Sequence, residues 1–217
     1  EMSASLVGSE MCIRDSFMKM KDFPTQEYRL KADIDLSGTE QTGSVIPEFS
    51  GVLDGENHKI TGLKAPLFGQ LSGTVSNVAI DAGAIEIGNS VDTTVGIFAN
   101  TMTNATVEKV MIANGSISST AGKAAGFAGT VTDSTVKNIF IQGRVNAVST
   151  ASGFAETSHH SVMENIYANI DVNGADGAGF LVNSTGENSY KNICSIGNVA
   201  ENMYKLCLLY TSPSPRD

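Results

Sequence analysis

A phenylalanine next to a small residue recurs along this chain at nearly constant spacing, at Phe68, Phe98, Phe127, Phe154 and Phe180. A second apolar position follows each Phe at a similar short distance: Val78, Val110, Ile139, Ile166 and Ile193. A period of roughly 26 to 30 residues is typical of solenoids, in which one small structural unit stacks on the next. Stacked units build a continuous surface rather than a catalytic pocket, so the pattern indicates a scaffold or binding module.

The repeats have the local pattern of strands. Short apolar segments alternate with Gly, Asn, Asp, Ser and Thr, and no stripe with a helical period is present. At about 3.3 Å per extended residue, one repeat is long enough for a closed coil. We predict an all-β fold, a right-handed parallel β-helix (solenoid) truncated at both ends, with the repeats clearest over residues 49–202. Leucine-rich repeats would need regular Leu columns, which are missing, and a β-sandwich ranks second because it does not explain the paired anchors.

Stacking of the coils would turn equivalent residues into columns. The Phe and Val/Ile positions are predicted to form the core, with about 4.8 Å between adjacent coils. A Gly one or two positions before four of the Phe residues allows positive φ or a close backbone approach; these are Gly96, Gly126, Gly153 and Gly179. The residues just before the Val/Ile anchors are predicted to hydrogen-bond along the axis; they are Asn77, Lys109, Asn138, Asn165 and Asn192.

The two ends of the chain read as the two strands of one DNA sequence. A DNA sequence that encodes Leu6 to Ser16 has a reverse complement that encodes Cys207 to Arg216. This DNA resembles a transposase adapter used to prepare sequencing libraries, as in metagenomic work, and such segments are set aside before fold reasoning. We therefore assign residues 1–16 and 207–217 to translated adapter and residues 17–206 to a single parallel β-helix domain.

Composition excludes several classes of partner and structure. The formal charge of the chain is −9. Without the two ends it is −7, from 12 basic and 19 acidic residues, so nucleic acid is not expected as a partner. No apolar run approaches the roughly 18 residues of a membrane span, so this segment is not expected to insert into a membrane. Two of the three cysteines lie in the assigned adapter, and no disulfide framework is predicted.

Two segments near the start of the repeats resemble a known family. They are YRLKADIDL at residues 28–36 and FSGVLDGENHKITGL at residues 49–63, followed by Pro66-Leu-Phe68. They resemble the N-terminal region of Gram-positive zinc metallopeptidases of the immunoglobulin A1 protease family, although Asn57 stands where the family commonly has Gly. The later Gly-Phe units are similar to the GLUG repeats of those and other bacterial surface proteins. The resemblance covers about residues 28–202.

The resemblance implies a bacterial parent protein that is secreted or attached to the cell wall and that carries a zinc peptidase domain elsewhere. The H-E-x-x-H pattern of such a domain is not in this sequence, so this fragment is not expected to be an enzyme. The expected partners are other domains of the parent protein or a host glycoprotein.

Three groups of residues were considered for metal binding or catalysis, and none of them is predicted to have either role. His159 and His160 lie near Glu156 and Glu164 in sequence but lack a convincing third metal ligand. His58 follows the turn dipeptide Asp54-Gly55 and is predicted to make local hydrogen bonds. The acidic residues Asp33, Asp35 and Asp54 were considered for polysaccharide cleavage, but nothing in the sequence assigns a general acid and a general base among them. We expect no catalytic, cofactor-binding or metal-binding residues and no cofactor.

One outward-facing series has functional promise. The position after each Val/Ile anchor should point away from the core, and it is occupied by Ala79, Met111, Phe140, Tyr167 and Cys194. Met111, Phe140 and Tyr167 form the candidate interaction stripe, because contiguous exposed apolar surface tends to mark interfaces. Cover by a loop of this chain is the alternative, and the sequence favours it.

The leading functional hypothesis is a noncatalytic β-helix scaffold or binding segment of a secreted or surface protein, from the metallopeptidase family named above. A surface adhesin that binds a host glycoprotein or glycan is the alternative. A polysaccharide-cleaving β-helix enzyme is third, on fold analogy alone.

Overall fold

The structure is a computed structural model that describes residues 4–5, 10–88, 93–200 and 207–208. The chain forms a parallel β-solenoid of about six turns, as the repeat period predicts. Neither helix in the described part of the chain has the length and apolar character that a membrane crossing requires.

The elements follow one another in a regular order. The N-terminal part contains β1 (Ala4–Ser5), α1 (Glu10–Met18), a short 3-10 helix (Lys19–Lys21), β2 (Glu27–Arg29) and β3 (Ile34–Asp35). Two coils of short strands follow: β4 (Ile46–Phe49), β5 (Val52–Asp54), β6 (Lys59–Thr61), β7 (Phe68–Leu71), β8 (Thr74–Asp81) and β9 (Ala84–Ile87). The next two coils are β10 (Thr94–Gly96), β11 (Ala99–Thr103), β12 (Thr106–Ser119), β13 (Lys123–Ala125), β14 (Ala128–Thr132) and β15 (Thr135–Ala147). The last elements are β16 (Thr150–Ser152), β17 (Ala155–His159), β18 (Val162–Asn173), β19 (Asp176–Ala178), β20 (Leu181–Thr185), β21 (Ser189–Ile196) and β22 (Cys207–Leu208).

Each regular coil contributes one strand to each of three sheets. The long-strand sheet has the order β1-β2-β5-β8-β12-β15-β18-β21-β22, with β3, β6 and β9 attached beside this path. A six-stranded sheet has the order β20-β17-β14-β11-β7-β4, and a four-stranded sheet has the order β10-β13-β16-β19. Pairing between the named strands is parallel except where β22 meets β21 antiparallel. Every coil therefore hydrogen-bonds mainly to the coils before and after it.

The predicted Phe column is confirmed and extends further than the repeat period indicates. All five rings are buried, with exposed fractions of 0–1%. Phe127 lies between Phe98 and Phe154 at ring-centroid distances of 4.7 Å on both sides, with interplanar angles of 8° and 6°. The column continues to Phe49, which stacks on Phe68 at 5.6 Å. Stacked rings add a favourable contact to the burial of their apolar area.

The Val/Ile column is also confirmed. The register pairs Val78 with Val110, Val110 with Ile139, and so on through Ile166 to Ile193. These side chains are buried. The Gly residues before the Phe positions serve close backbone approach rather than positive φ. A Cβ added at Gly153 would overlap the carbonyl oxygen of Gly179 in the next coil, and one at Gly126 would overlap that of Gly153.

The predicted ladder beside the Val/Ile column forms at a corner with left-handed backbone. Its five members have φ between 53° and 56°, a region that Asn tolerates better than most residues. Asn192 Nδ2 donates to Asn165 Oδ1 at 2.8 Å, and Asn165 Nδ2 donates to Asn138 Oδ1 at 2.9 Å. Lys109 interrupts the series, and Asn138 Nδ2 donates instead to Glu108 Oε1 at 3.3 Å.

Candidate functional site

The candidate interaction stripe lies on the outer surface of the long-strand sheet. Its residues are in register on successive coils, with Met111 opposite Phe140 and Phe140 opposite Tyr167. The rings of Phe140 and Tyr167 are parallel to within 7° at a centroid distance of 5.4 Å. Strand alternation produces this arrangement, because the residues directly before and after each stripe position are buried.

In the part of the chain that the structure describes, the cover of the stripe by a loop that the sequence favours is not found. Met111 is 43% exposed and Phe140 is 37% exposed, while Tyr167, Ala79 and Cys194 are partly buried. Within residues 14–88 and 93–200, whose side chains are described, no segment buries Met111 or Phe140. The stripe is therefore an accessible apolar surface there.

A column of alternating charge runs beside the stripe. Its members are in register on four coils: Glu108, Lys137, Glu164 and Lys191. Glu164 contacts Lys191 Nζ at 2.9 Å and Lys137 Nζ at 3.2 Å. Hydrogen bonds from these two ammonium groups lower the pKa of Glu164 below its ordinary value of 4.5. Sequence reasoning missed this column, although opposite charges that alternate from one repeat to the next are its signal.

Two open polar grooves lie on the other side of the stripe, where the long strands bend. The register of β12 against β15 shifts between Ile112 and Gly115. One groove of about 490 Å³ lies among Asn146, Asn173 and Asn198, and one of about 380 Å³ lies among Asn114, Gln142 and Asn169. Arg144 and Asp171 line both grooves. The amide groups make this surface rich in hydrogen-bond donors and acceptors.

The acidic residues of the first coils are each engaged locally. Asp33 Oδ1 accepts from Lys59 N at 2.8 Å and lies 3.2 Å from His58 Nδ1, in agreement with the local role predicted for His58. Asp35 accepts from Ser37 N, and Asp54 accepts from Asn77 Nδ2 at 2.9 Å.

These hydrogen bonds hold the pKa of all three Asp carboxyls below the ordinary value of 3.8. The largest cause is the Lys59 backbone N–H for Asp33, the Ser37 backbone N–H for Asp35 and the Asn77 side chain for Asp54. A glycoside hydrolase needs one carboxyl with a raised pKa to serve as general acid. None of these three carboxyls has one, so they do not show the division of roles that polysaccharide cleavage requires.

The structure separates the two histidines from the acidic neighbours considered in the sequence. Glu156 is nearly buried, accepts from Thr94 Oγ1 at 2.7 Å and pairs with Lys123 Nζ at 2.8 Å. Glu164 pairs with lysines on the long-strand sheet, as described above. The acidic partner of the histidines is Asp133, whose Oδ1 lies 3.7 Å from His160 Nδ1.

Stacking of the coils brings Asp133 to the histidines. The corner between the six-stranded and long-strand sheets has a left-handed residue on successive coils: Asn104, Asp133, His160 and Gly186, with φ of 54°, 48°, 46° and 69°. Asp133 N donates to the carbonyl oxygen of His159 at 3.0 Å, which ties the two coils together. Aligning the repeats at this corner, with one repeat as the offset, is the sequence signal that could have found the cluster.

A ladder of buried hydroxyl groups fixes this corner. Ala105 N donates to Ser134 Oγ at 3.0 Å, and Ser134 N donates to Ser161 Oγ at 3.1 Å. In the next coil, Ser161 N donates to Asn188 Oδ1 at 2.8 Å. Each side chain replaces the ladder bond that the left-handed turn would otherwise leave unmade, so the backbone next to Asp133 and His160 is held on both coils.

The first coils are similar to a known protein family. Residues 14–115 match the family model of the M26 IgA1-specific metallo-endopeptidase N-terminal region. The resemblance identified from residues 28–63 is thereby confirmed. The M26 match includes Met111 but ends before Phe140, Tyr167 and the two histidines.

Other known proteins add little to the M26 match. Among solved structures, the crystal structure of a putative immunoglobulin A1 protease from Bacteroides ovatus is similar, with 19% identity and a TM-score of 0.46. The similarity covers 87% of this chain and 75% of that one. No curated protein matches the chain.

Proposed function

We propose that this chain is a noncatalytic β-helix scaffold within a secreted or cell-wall-attached bacterial zinc metallopeptidase of the immunoglobulin A1 protease type. In this role the solenoid holds other domains of the parent protein. The match of residues 14–115 to an N-terminal region supports the presence of further domains in that parent protein. The three low-pKa Asp carboxyls of the first coils and the missing H-E-x-x-H pattern support a role without catalysis.

The stripe is the surface that carries this proposal. Met111 and Phe140 are large apolar side chains left accessible on a wall where neighbouring positions are charged or amide-bearing. Phe140 and Tyr167 stack with their rings parallel, so the surface is preorganised and little side-chain entropy is lost on docking. Apolar and aromatic side chains with a polar rim are typical of the centre of a protein–protein interface.

The test uses the parent protein with Met111→Ser and Phe140→Ser together. Association of this solenoid with the remaining domains, supplied as a separate polypeptide, should weaken at least about tenfold, because central interface residues commonly contribute about 1–2 kcal/mol or more each. Phe23→Ser is the matched control, because Phe23 is 59% exposed but lies off the stripe. Unchanged association in the double variant would refute docking through the stripe.

A surface adhesin is the second candidate, and the two polar grooves on the long-strand sheet favour it. Their amide groups, together with Arg144 and Asp171, suit hydrogen bonding to a glycan. If the same stripe variants lose binding to a host glycoprotein but not to the parent domains, the adhesin function replaces the scaffold function.

A further inference from the structure

We propose that Asp133, His159 and His160 form a binding site for Zn²⁺ that links two adjacent coils. This site goes beyond the scaffold function and does not depend on it. Each residue offers one ligand atom, and the three atoms lie within 4.8 Å of one another. Two imidazole nitrogens and one carboxylate oxygen form a ligand set that Zn²⁺ accepts, with water completing the coordination.

The backbone explains how two consecutive residues can bind one ion. In an extended strand, the side chains of His159 and His160 would point to opposite faces. His160 instead has φ of 46°, and this turn brings the two rings to one side with their centroids 3.9 Å apart. Asp133 has the equivalent conformation on the preceding coil, with φ of 48°, and so lies directly beside them.

The three ligand atoms lie within 4.8 Å of one another and must come closer for an ion to bind. Bonds of about 2.0–2.1 Å to a tetrahedral ion place its ligand atoms roughly 3.3 Å apart. His160 Nδ1 and Asp133 Oδ1 are already at 3.7 Å. Both side chains are about half exposed, at 50% and 48%, so they can rotate toward the ion without disturbing the core.

The following coil leaves room for the imidazole of His160. Gly186 occupies the same corner in the following coil, and an added Cβ there would lie 2.6 Å from His160 Cδ2 and 2.7 Å from Nε2. A side chain at this position would displace the ring, so Gly186 leaves the space that the ring occupies. Nδ1 remains directed at Asp133, and the hydroxyl ladder through Ser134 and Ser161 fixes the backbone on both coils.

The ion would join β14–β15 to β17–β18 across the corner. Because the ligands are assembled only when the coils are stacked, Zn²⁺ should bind the folded chain and raise its unfolding temperature. The chain is noncatalytic in this proposal, and the ion has a structural role.

The experiment is a titration of the full chain with ZnCl₂, read by calorimetry and by the unfolding temperature, with MgCl₂ as the hard-cation comparison. We expect one Zn²⁺ per chain and no comparable effect of Mg²⁺. His160→Asn should weaken binding at least about tenfold, since even loss of a group that only orients a metal ligand commonly costs about 10–100-fold. Asn suits this left-handed position, where Asn104 stands two coils earlier with φ of 54°.

Two further variants separate loss of the site from loss of the fold. Asp133→Asn keeps a residue suited to the turn and should weaken Zn²⁺ binding by a similar factor, so the assignment does not depend on one variant. His58→Asn is the matched control, because His58 also lies beside an Asp, at 3.2 Å, but has no second histidine. It should leave Zn²⁺ binding unchanged.

Cobalt identifies the ligands directly. Co²⁺ bound at this site should show visible d–d absorption without a sulfur-to-metal band, and His160→Asn should remove the signal. No Zn²⁺ binding by the wild-type chain, equal binding by all four proteins, or a thiolate band from one of the three cysteines would overturn the proposal.

Discussion

Lys109 is the one member of the Asn ladder with an unsuitable side chain, and replacing it with Asn should stabilise the solenoid. Its φ of 55° lies in the left-handed region, which costs an ordinary L residue about 1–2 kcal/mol. Asn reduces this cost because its short amide can hydrogen-bond to nearby backbone. Lys109 gains little in return, since its Nζ lies 3.8 Å from Glu108 Oε1 and its side chain is 61% exposed.

The variant Lys109→Asn should also complete the ladder. Each Asn donates to the preceding coil, so Asn138 would donate to Oδ1 of the new side chain, which would in turn donate to Asn77. The present bond from Asn138 to Glu108, at 3.3 Å, would be given up. Hydrogen bonds in exposed positions contribute toward the lower end of about 0.5–1.5 kcal/mol each. Together with the backbone gain, the free energy of unfolding should rise by about 1–1.5 kcal/mol.

Thermal and urea unfolding measure this change. For a chain of this size, about 1 kcal/mol corresponds to about 2–4 °C in Tm, so the expected increase is roughly 2–6 °C. Lys109→Gly relieves the backbone cost without a ladder amide, and Lys109→Ala relieves neither. The expected order of stability is Asn, then Gly, then Ala. If Lys109→Asn is no more stable than the wild type, the reasoning from backbone conformation and ladder bonds is refuted.

Two further predictions concern close packing and acid. Gly153→Ala should lower the free energy of unfolding by about 1–3 kcal/mol, because its Cβ would overlap the Gly179 carbonyl oxygen. Gly88→Ala, whose Cβ would contact only Thr120 Oγ1 at 3.7 Å, should be nearly neutral, and equal losses would contradict the close-approach argument. Asp54 has a lowered pKa in the folded chain, as do Asp33, Asp35 and Glu164. The stabilising effect of the Asp54 carboxylate is therefore complete above its ordinary pKa of 3.8 and is lost as the pH falls through its pKa in the folded chain. Stability from these groups should be constant from about pH 7 to about 5 and fall below about pH 4; Asp54→Asn should reduce that fall, and an undiminished fall would show that Asp54 does not contribute.

The fold could be predicted because the same core positions recur in every repeat of the sequence. Phe and Val/Ile positions that recur once in every repeat have few arrangements other than stacking, and the register pairs Val110 with Val78 and Ile139 as expected. Phe49 was not predicted to belong to the Phe column. It precedes Phe68 by fewer residues than separate the later Phe positions, so the first coil is shorter than the repeat period.

Of the candidate sites, the stripe could be predicted from the sequence and the Asp133 cluster could not. The stripe follows from alternation, which is a local property, and Met111 and Phe140 are exposed as alternation predicts. Cover by a loop, which the sequence favours, depends on paths between coils that the period does not specify. The Asp133 cluster was missed because Asp133 and the two histidines lie a whole coil apart in sequence and meet only through the left-handed corner.

Register between the coils also bears on how this wall can change in length. Because β15 presents the same core, ladder and stripe positions as β12 and β18, removing or duplicating one complete coil leaves matching neighbours at the junction. An insertion of part of a coil has no such match, because it moves the core, ladder and stripe residues that follow it out of register with the preceding coil. Genes for β-solenoids of this kind should therefore gain and lose complete coils. Such changes lengthen or shorten the distance between the two ends of the solenoid and leave its core unchanged.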